Sequence, residues 1–145
     1  MEVRIRPAEP REGERLREIA AASKQYWGYE RERVGQWAAT LDYSGKDVHV
    51  ADAGGKAVAY AVLGGSGETA ILDELWVEPE WIGKGVGSRL FQFVAGRAAE
   101  RGASRLEWES DPNAVGFYER LGARYVRDSE PSEWGRILPV MGIEL

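Results

Sequence analysis

Cysteine is absent from the 145-residue chain. That excludes a disulfide framework, a thiolate metal site and a cysteine nucleophile. Histidine occurs once, at His49. A zinc site built from several imidazoles is excluded with it, as is a His–Cys catalytic pair, so no metal is expected. No run approaches the ~18 apolar residues of a membrane span. The opening Met1-Glu2-Val3-Arg4-Ile5-Arg6 alternates charged with apolar residues, whereas a signal peptide has a basic start and an uninterrupted apolar run. These absences lead to the expectation of a soluble cytoplasmic protein with no membrane partner. Basic residues are in the minority, 19 Lys+Arg against 24 Asp+Glu, for a net charge of −5. A nucleic-acid partner held by phosphate neutralisation is therefore not expected. A local basic site is compatible with that balance. The length suits one domain over residues 1–145, with a core that needs no covalent staple.

The hydrophobic pattern changes period along the chain. Val3 and Ile5 alternate with charged neighbours and read as a strand ended by Pro7 and Pro10. Residues 11–26 carry Leu16, Ile19 and Ala20 on one helical stripe, and residues 30–41 carry Val34, Trp37 and Leu41 at helical spacing. Three strands follow, over 47–53, 57–63 and 69–77, separated by Gly54-Gly55 and by Gly64-Gly65-Ser66-Gly67. A helix over 85–101 places Val86, Leu90, Phe93, Val94 and Ala98 on one face, with Gly102 as its cap. A strand over 105–109, a short helix over 113–121 and two strands over 125–127 and 137–145 complete the order. The expectation is an α/β fold with a mixed sheet, outside regular βαβ alternation. His49, on an alternating strand, reads as structural.

The chemically informative segment is Leu75-Trp76-Val77-Glu78-Pro79-Glu80-Trp81-Ile82-Gly83-Lys84-Gly85-Val86-Gly87-Ser88-Arg89-Leu90. A strand ends, glycines follow and a helix begins. Gly83, Gly85 and Gly87 leave backbone N–H groups bare at the positive end of the helix dipole, which suits a phosphate or pyrophosphate. Lys84 adds a cation there. Taken alone, such a loop serves equally well as a plain strand-to-helix turn. It is not a Walker loop, because Lys84 is followed by Gly85 and Glu78 stands five residues before Gly83. Nor is it G-x-G-x-x-G: from Gly83 the sixth residue is Ser88, and from Gly85 it is Leu90.

A second segment reads Asp111-Pro112-Asn113-Ala114-Val115-Gly116-Phe117-Tyr118-Glu119-Arg120-Leu121-Gly122-Ala123. An isolated Tyr beside a Phe is ordinarily packing. Together, however, the two segments resemble the GNAT superfamily of acyl-CoA-dependent N-acyltransferases. Its pattern L-x-V-x-P-x-x-[RQ]-x-x-G-x-[GA]-x-x-L is met by Leu75, Val77, Pro79, Gly85, Gly87 and Leu90. Its later A-x-x-[FL]-Y-x-x-x-G-F is met by Ala114, Phe117, Tyr118 and Gly122. Ile82 replaces the family's Arg or Gln, Asp111 stands where an Asn is frequent, and Ala123 replaces the final Phe. Asn113 is a candidate to take over that Asn's cofactor contact. The element order resembles the family over the whole chain and implies a mostly antiparallel sheet of six to seven strands flanked by about four helices.

The resemblance implies acetyl-CoA as cosubstrate. Its pantetheine would lie where the fourth and fifth strands splay, against Leu75, Trp76 and Val77, with Phe117 also in the cofactor site. Its diphosphate would rest on the amides of Gly83, Lys84, Gly85, Val86, Gly87 and Ser88. Acetyl would pass directly to an amine. A free alkyl ammonium, of pKa near ~10.4, must first lose a proton. Asp73 is the first candidate base, working through water, with Glu74, Glu107 and Glu109 in reserve. Each is equally readable as a solvated charge. A backbone N–H near Val77 would stabilise the oxyanion, a donor worth roughly 3–4 kcal/mol elsewhere. Tyr118 occupies the family's general-acid position toward the departing thiolate.

The acceptor is less legible. Tyr26-Trp27-Gly28-Tyr29 joins the two N-terminal helices, where the superfamily caps the acceptor site. Tyr26, Trp27 and Tyr29 read either as a wall for a cationic ligand or as a staple between helices. Arg136, in the C-terminal Trp134–Pro139 segment, is a candidate partner for an acceptor carboxylate. The expectation is acetylation of a small-molecule amine. Alternatives are a protein or peptide amine, a non-catalytic acyl-CoA sensor and a nucleotide-phosphate protein. Homodimerisation is expected by analogy alone.

Overall fold

The structure, a computed structural model, describes residues 2–131 and 134–145. The elements run β1 (Val3–Pro7), α1 (Gly13–Tyr26), α2 (Arg31–Ala39), β2 (Asp47–Ala53), β3 (Lys56–Ser66), β4 (Thr69–Val77), α3 (Val86–Glu100), β5 (Arg105–Glu109), α4 (Val115–Arg120), β6 (Arg124–Asp128) and β7 (Pro139–Glu144). This is the order expected from the sequence. The strands form a seven-stranded mixed sheet in the order β1-β2-β3-β4-β5-β7-β6. β1/β2, β2/β3, β5/β7 and β6/β7 are antiparallel. β4 and β5 run parallel, Thr69–Ile71 against Arg105–Glu107. A parallel pair requires a crossover, and α3 supplies it. No helix among the described residues is long and apolar enough to cross a membrane.

The chain divides into two compact units, Met1–Leu63 with Glu74–Phe93, and Gly64–Asp73 with Val94–Leu145. In the first, the α1 stripe Leu16, Ile19 and Ala20 packs with Val48 and Val50 of β2 and Tyr60 and Val62 of β3. β3 is buried from Ala57 to Leu63, and a strand covered on both faces needs an unbroken apolar run. In the second, Leu106 and Trp108 of β5, Val140 and Met141 of β7 and Tyr118 of α4 are buried. β6 is exposed along its whole length.

Element boundaries shift from the sequence reading by up to three residues: α2 is shorter than 30–41 and the last strand starts at Pro139, not at residue 137. β3 continues through Gly64 and Gly65 to Ser66, where a turn was expected. Gly64 lies in the strand where a Cβ would have no room, because the Asp73 carboxylate occupies that space. The first helix is preceded by a 3-10 turn, Pro10–Glu12, and α4 by another, Pro112–Ala114. In both, proline opens the turn, where its missing N–H costs nothing.

One charged cluster ties β1 to β2 within the first unit. The Arg6 guanidinium donates to Glu12 at 2.8 and 2.9 Å and to Asp52 at 2.8 Å. All three side chains are mostly buried. Arg6 holds both carboxyls below their usual range through these bonds. Stability from a depressed carboxylate is present above its unfolded pKa, about 4, and is lost as pH falls through the folded value. Arg6→Met is therefore expected to cost about 1–2 kcal/mol at pH 7 in urea unfolding. That gap closes as pH falls below about 4; a gap that persists there contradicts this origin.

Candidate active site

The end of β4 sets the first part of the site. After Val77, the turn Pro79–Trp81 and an extended Ile82 lead to Gly83 and Gly85, both at φ +82°, and α3 begins at Val86. An L side chain is strained at that φ. Successive amides that point toward one side of such a turn can form a concavity suited to an anion. The amides of a helix's first turn have no intrahelical acceptor. A Cβ at Gly83 or Gly85 would meet nothing within 4 Å, so the space before the loop is open. The Lys84 ammonium lies 5.1 Å from the Trp81 ring centre. The turn is anchored behind: Glu78 N–H donates to the Val58 carbonyl at 2.9 Å, and its carboxylate accepts from Arg15 at 2.7 Å. That ion pair offsets a negative charge beside the glycine turn.

Along β4, alternation sends Asp73 and Glu74 to opposite faces. Glu74 shares its face with Trp76, whose ring meets Trp37 of α2 at 5.5 Å. The Tyr60 hydroxyl donates to Glu74 Oε1 at 2.6 Å and lies 2.7 Å from the Tyr43 hydroxyl. Lys24 of α1 is only 3% exposed. Its ammonium sits 4.0 Å from the Trp37 ring, 5.3 Å from Tyr29 and 5.7 Å from Trp76. The Trp76 indole N–H is buried and has no acceptor among the described residues. Asp73, by contrast, is exposed and lies over Gly64.

The aromatic segment between α1 and α2 divides. Tyr29 turns to Lys24, while Tyr26 and Trp27 stack edge-on at 4.9 Å and are 55% and 40% exposed. The cation beside Tyr29 is thus the chain's own lysine. Lys24, Tyr43 and Tyr60 were not singled out in the sequence. A signal for Lys24 existed, since the stripe Leu16, Ile19, Ala20, Ser23 continues onto it. His49 is buried, its ring 4.8 Å from Phe93 and its Nδ1 3.4 Å from Asp47.

In the second unit, Tyr118 is buried against Trp108 at 4.8 Å and Phe117 at 5.0 Å. Burial, and secondarily the charge of Asp111, push its phenol well above the usual range. It is a neutral proton donor throughout the physiological range. Asp111 caps the turn before α4: its Oδ1 accepts from the backbone N–H of Asn113 at 2.9 Å and from its side-chain amide at 3.0 Å. Glu107 is buried between Arg127 at 2.9 Å and Arg105 at 3.2 Å, whereas Glu109 is exposed. The Arg136 guanidinium lies 5.9 Å from the Trp134 ring. Leu75–Val77, Glu74 and Gly83–Ser88 thus fall in the first unit, and Asp73, Asn113, Phe117, Tyr118 and Arg136 in the second.

Comparison with known proteins agrees with this architecture. A thialysine N-epsilon-acetyltransferase of Sus scrofa is 34% identical over 70 residues, 45% of this chain and 40% of that protein. Its counterpart from Bos taurus is 32% identical over 69 residues, 44% of this chain and 39% of that protein. The matched region spans about two fifths of these relatives' length. A GCN5-related N-acetyltransferase from Rhodopseudomonas palustris superposes over 100% of this chain and 97% of its own, with TM-score 0.85 and 25% identity. The PaiA N-acetyltransferase of Thermoplasma acidophilum, solved with coenzyme A, superposes over 100% of both chains with TM-score 0.81 and 19% identity. The model of the acetyltransferase (GNAT) family matches residues 14–123. The chain belongs to the acetyltransferase (GNAT) family.

Proposed function

We propose that this protein is an acyl-CoA-dependent N-acetyltransferase that moves an acetyl group from acetyl-CoA to the amine of a small molecule. The observation that carries the reading is the β4–α3 turn. Two glycines at positive φ open onto free space before a helix N-terminus, which fits the coenzyme diphosphate on the amides of Gly83–Ser88 with Lys84 alongside. The orphaned Trp76 N–H offers a donor to a pantetheine carbonyl on the strand that the family uses for that contact. Acetyl-CoA supplies the activated acyl group as a thioester. The curated relatives act on thialysine, by their names, and this favours a small amine acceptor here.

Glu74 is the base in this reading, in place of Asp73. It lies on the β4 face toward α1 and α2, the helices that cap the acceptor in the superfamily, and it is already hydrogen-bonded for use. Asp73 is exposed on the other face, and Glu107 is occupied by two arginines. Glu74 takes a proton from the acceptor ammonium, through water where the two are not in contact. Tyr118, kept neutral by burial, gives its hydroxyl proton to the leaving sulfur.

Isothermal titration is expected to show acetyl-CoA binding, with Gly85→Ala weakening it about tenfold through strain at positive φ. In an amine screen that includes thialysine, Glu74→Gln and Tyr118→Phe are each expected to lower kcat about 100-fold. Asp73→Asn should leave kcat near that of the wild type. Tight binding without turnover on any amine, unaltered by Tyr118→Phe, contradicts the enzyme reading and favours a sensor.

A further inference from the structure

Glu74 does not stand alone. Tyr60 is fully buried in the middle of β3, among Ala57, Val58, Ala59, Ala61 and Val62, and its hydroxyl is its only polar atom beyond the backbone. A phenol has one proton to give. That proton goes to Glu74 at 2.6 Å, so the 2.7 Å contact with Tyr43 is a bond in which Tyr43 donates. The three groups form a directed chain, Tyr43 to Tyr60 to Glu74. Tyr43 lies between α2 and β2 and is half-buried, its ring edge-on to Tyr60 at 5.3 Å. The chain links the segment after α2 to the carboxylate on β4.

We propose that Tyr60, backed by Tyr43, is a positioning residue that holds the Glu74 carboxylate ionised and oriented for proton abstraction. The inference rests on the reading of Glu74 as the base. A buried hydroxyl with no other partner would be a cost in an otherwise apolar strand; spent on a carboxylate, it makes a charge-assisted bond. Burial and the neighbouring Glu74 charge push the Tyr60 phenol far above its usual range, and burial raises Tyr43 to about 12. Both remain donors at every pH at which the enzyme works. Among the described residues, charges near the chain include Lys24 of α1, in the ring cage that Trp76 completes, and Arg17 of α1, whose guanidinium donates to the Leu41 carbonyl and whose charge acts on Tyr43. Asp73 projects to the opposite face of β4.

The test is a carboxyl 13C titration of Glu74 in the full chain, which needs no acceptor, with wild type, Tyr60→Phe and Tyr43→Phe compared. Loss of the Tyr60 donor removes a bond made to the charged form, so the midpoint is expected to rise by about one pH unit or more. Tyr43→Phe should move it the same way by less. The acid limb of kcat/KM should follow the same order once an acceptor is in hand. An unmoved midpoint in Tyr60→Phe, or in Tyr43→Phe where that variant alone folds, overturns the proposal. Glu74→Gln separates the two readings. If that variant keeps full activity, the base assignment fails whatever the titration shows. If it is inactive while Tyr60→Phe leaves the midpoint and acid limb unchanged, only the role of Tyr60 fails.

Discussion

A strand that runs into a helix through a turn with residues at positive φ can add the turn's backbone N–H groups to the unpaired ones of the helix's first turn. Gly83 and Gly85 meet that condition, and the first turn of α3 continues the row of donors. The ion pair of Glu78 with Arg15 and the hydrogen bond from Glu78 to Val58 fix where the turn starts. An anion of the size of a diphosphate fits such a row without any particular side chain. That is why Ile82, in place of the family's Arg or Gln, leaves the reading intact.

Around this element, the first unit sets polar groups inside apolar surroundings and gives Lys24 and Glu74 partners there. Lys24 lies within three aromatic rings, where an ammonium gains from the ring quadrupoles. Glu74 is reached by Tyr60, and Tyr60 by Tyr43. Such networks are specific because a half-satisfied member is costly in a low-dielectric setting. In the second unit the buried phenol Tyr118 has aromatic neighbours. Tyr118 lies among Trp108 and Phe117, so it stays protonated by exclusion of water.

Much of the fold was legible because its elements have distinct periods. The α1 stripe, the alternation in β2 and the apolar run in β3 each identify one type of element. Less was legible where a local rule and a tertiary contact disagree. Gly64-Gly65 reads as a turn, yet β3 runs through both, and the absence of a Cβ at Gly64 leaves room for the Asp73 carboxylate. Alternation shows that Asp73 and Glu74 face opposite ways, but not which face the first two helices cover. That depends on Trp37 meeting Trp76 across the chain. Tyr60 was hidden for a related reason: in a continuous buried run, a tyrosine looks like filler until its hydroxyl is seen to reach β4. The glycine turn and Tyr118 needed both motifs together, since either alone is ordinary packing or an ordinary loop.

Coenzyme binding in the proposed function depends most on the amides of the β4–α3 turn receiving a diphosphate. Backbone 1H–15N correlation spectra of the labelled protein, recorded with and without saturating coenzyme A, test this residue by residue. Large downfield amide shifts concentrated at Gly83–Ser88 are expected, as where N–H groups donate to phosphate oxygens. Unmoved resonances at those positions at saturation, or shifts confined to another surface such as the Arg4–Lys56 groove beside Arg11, would contradict it.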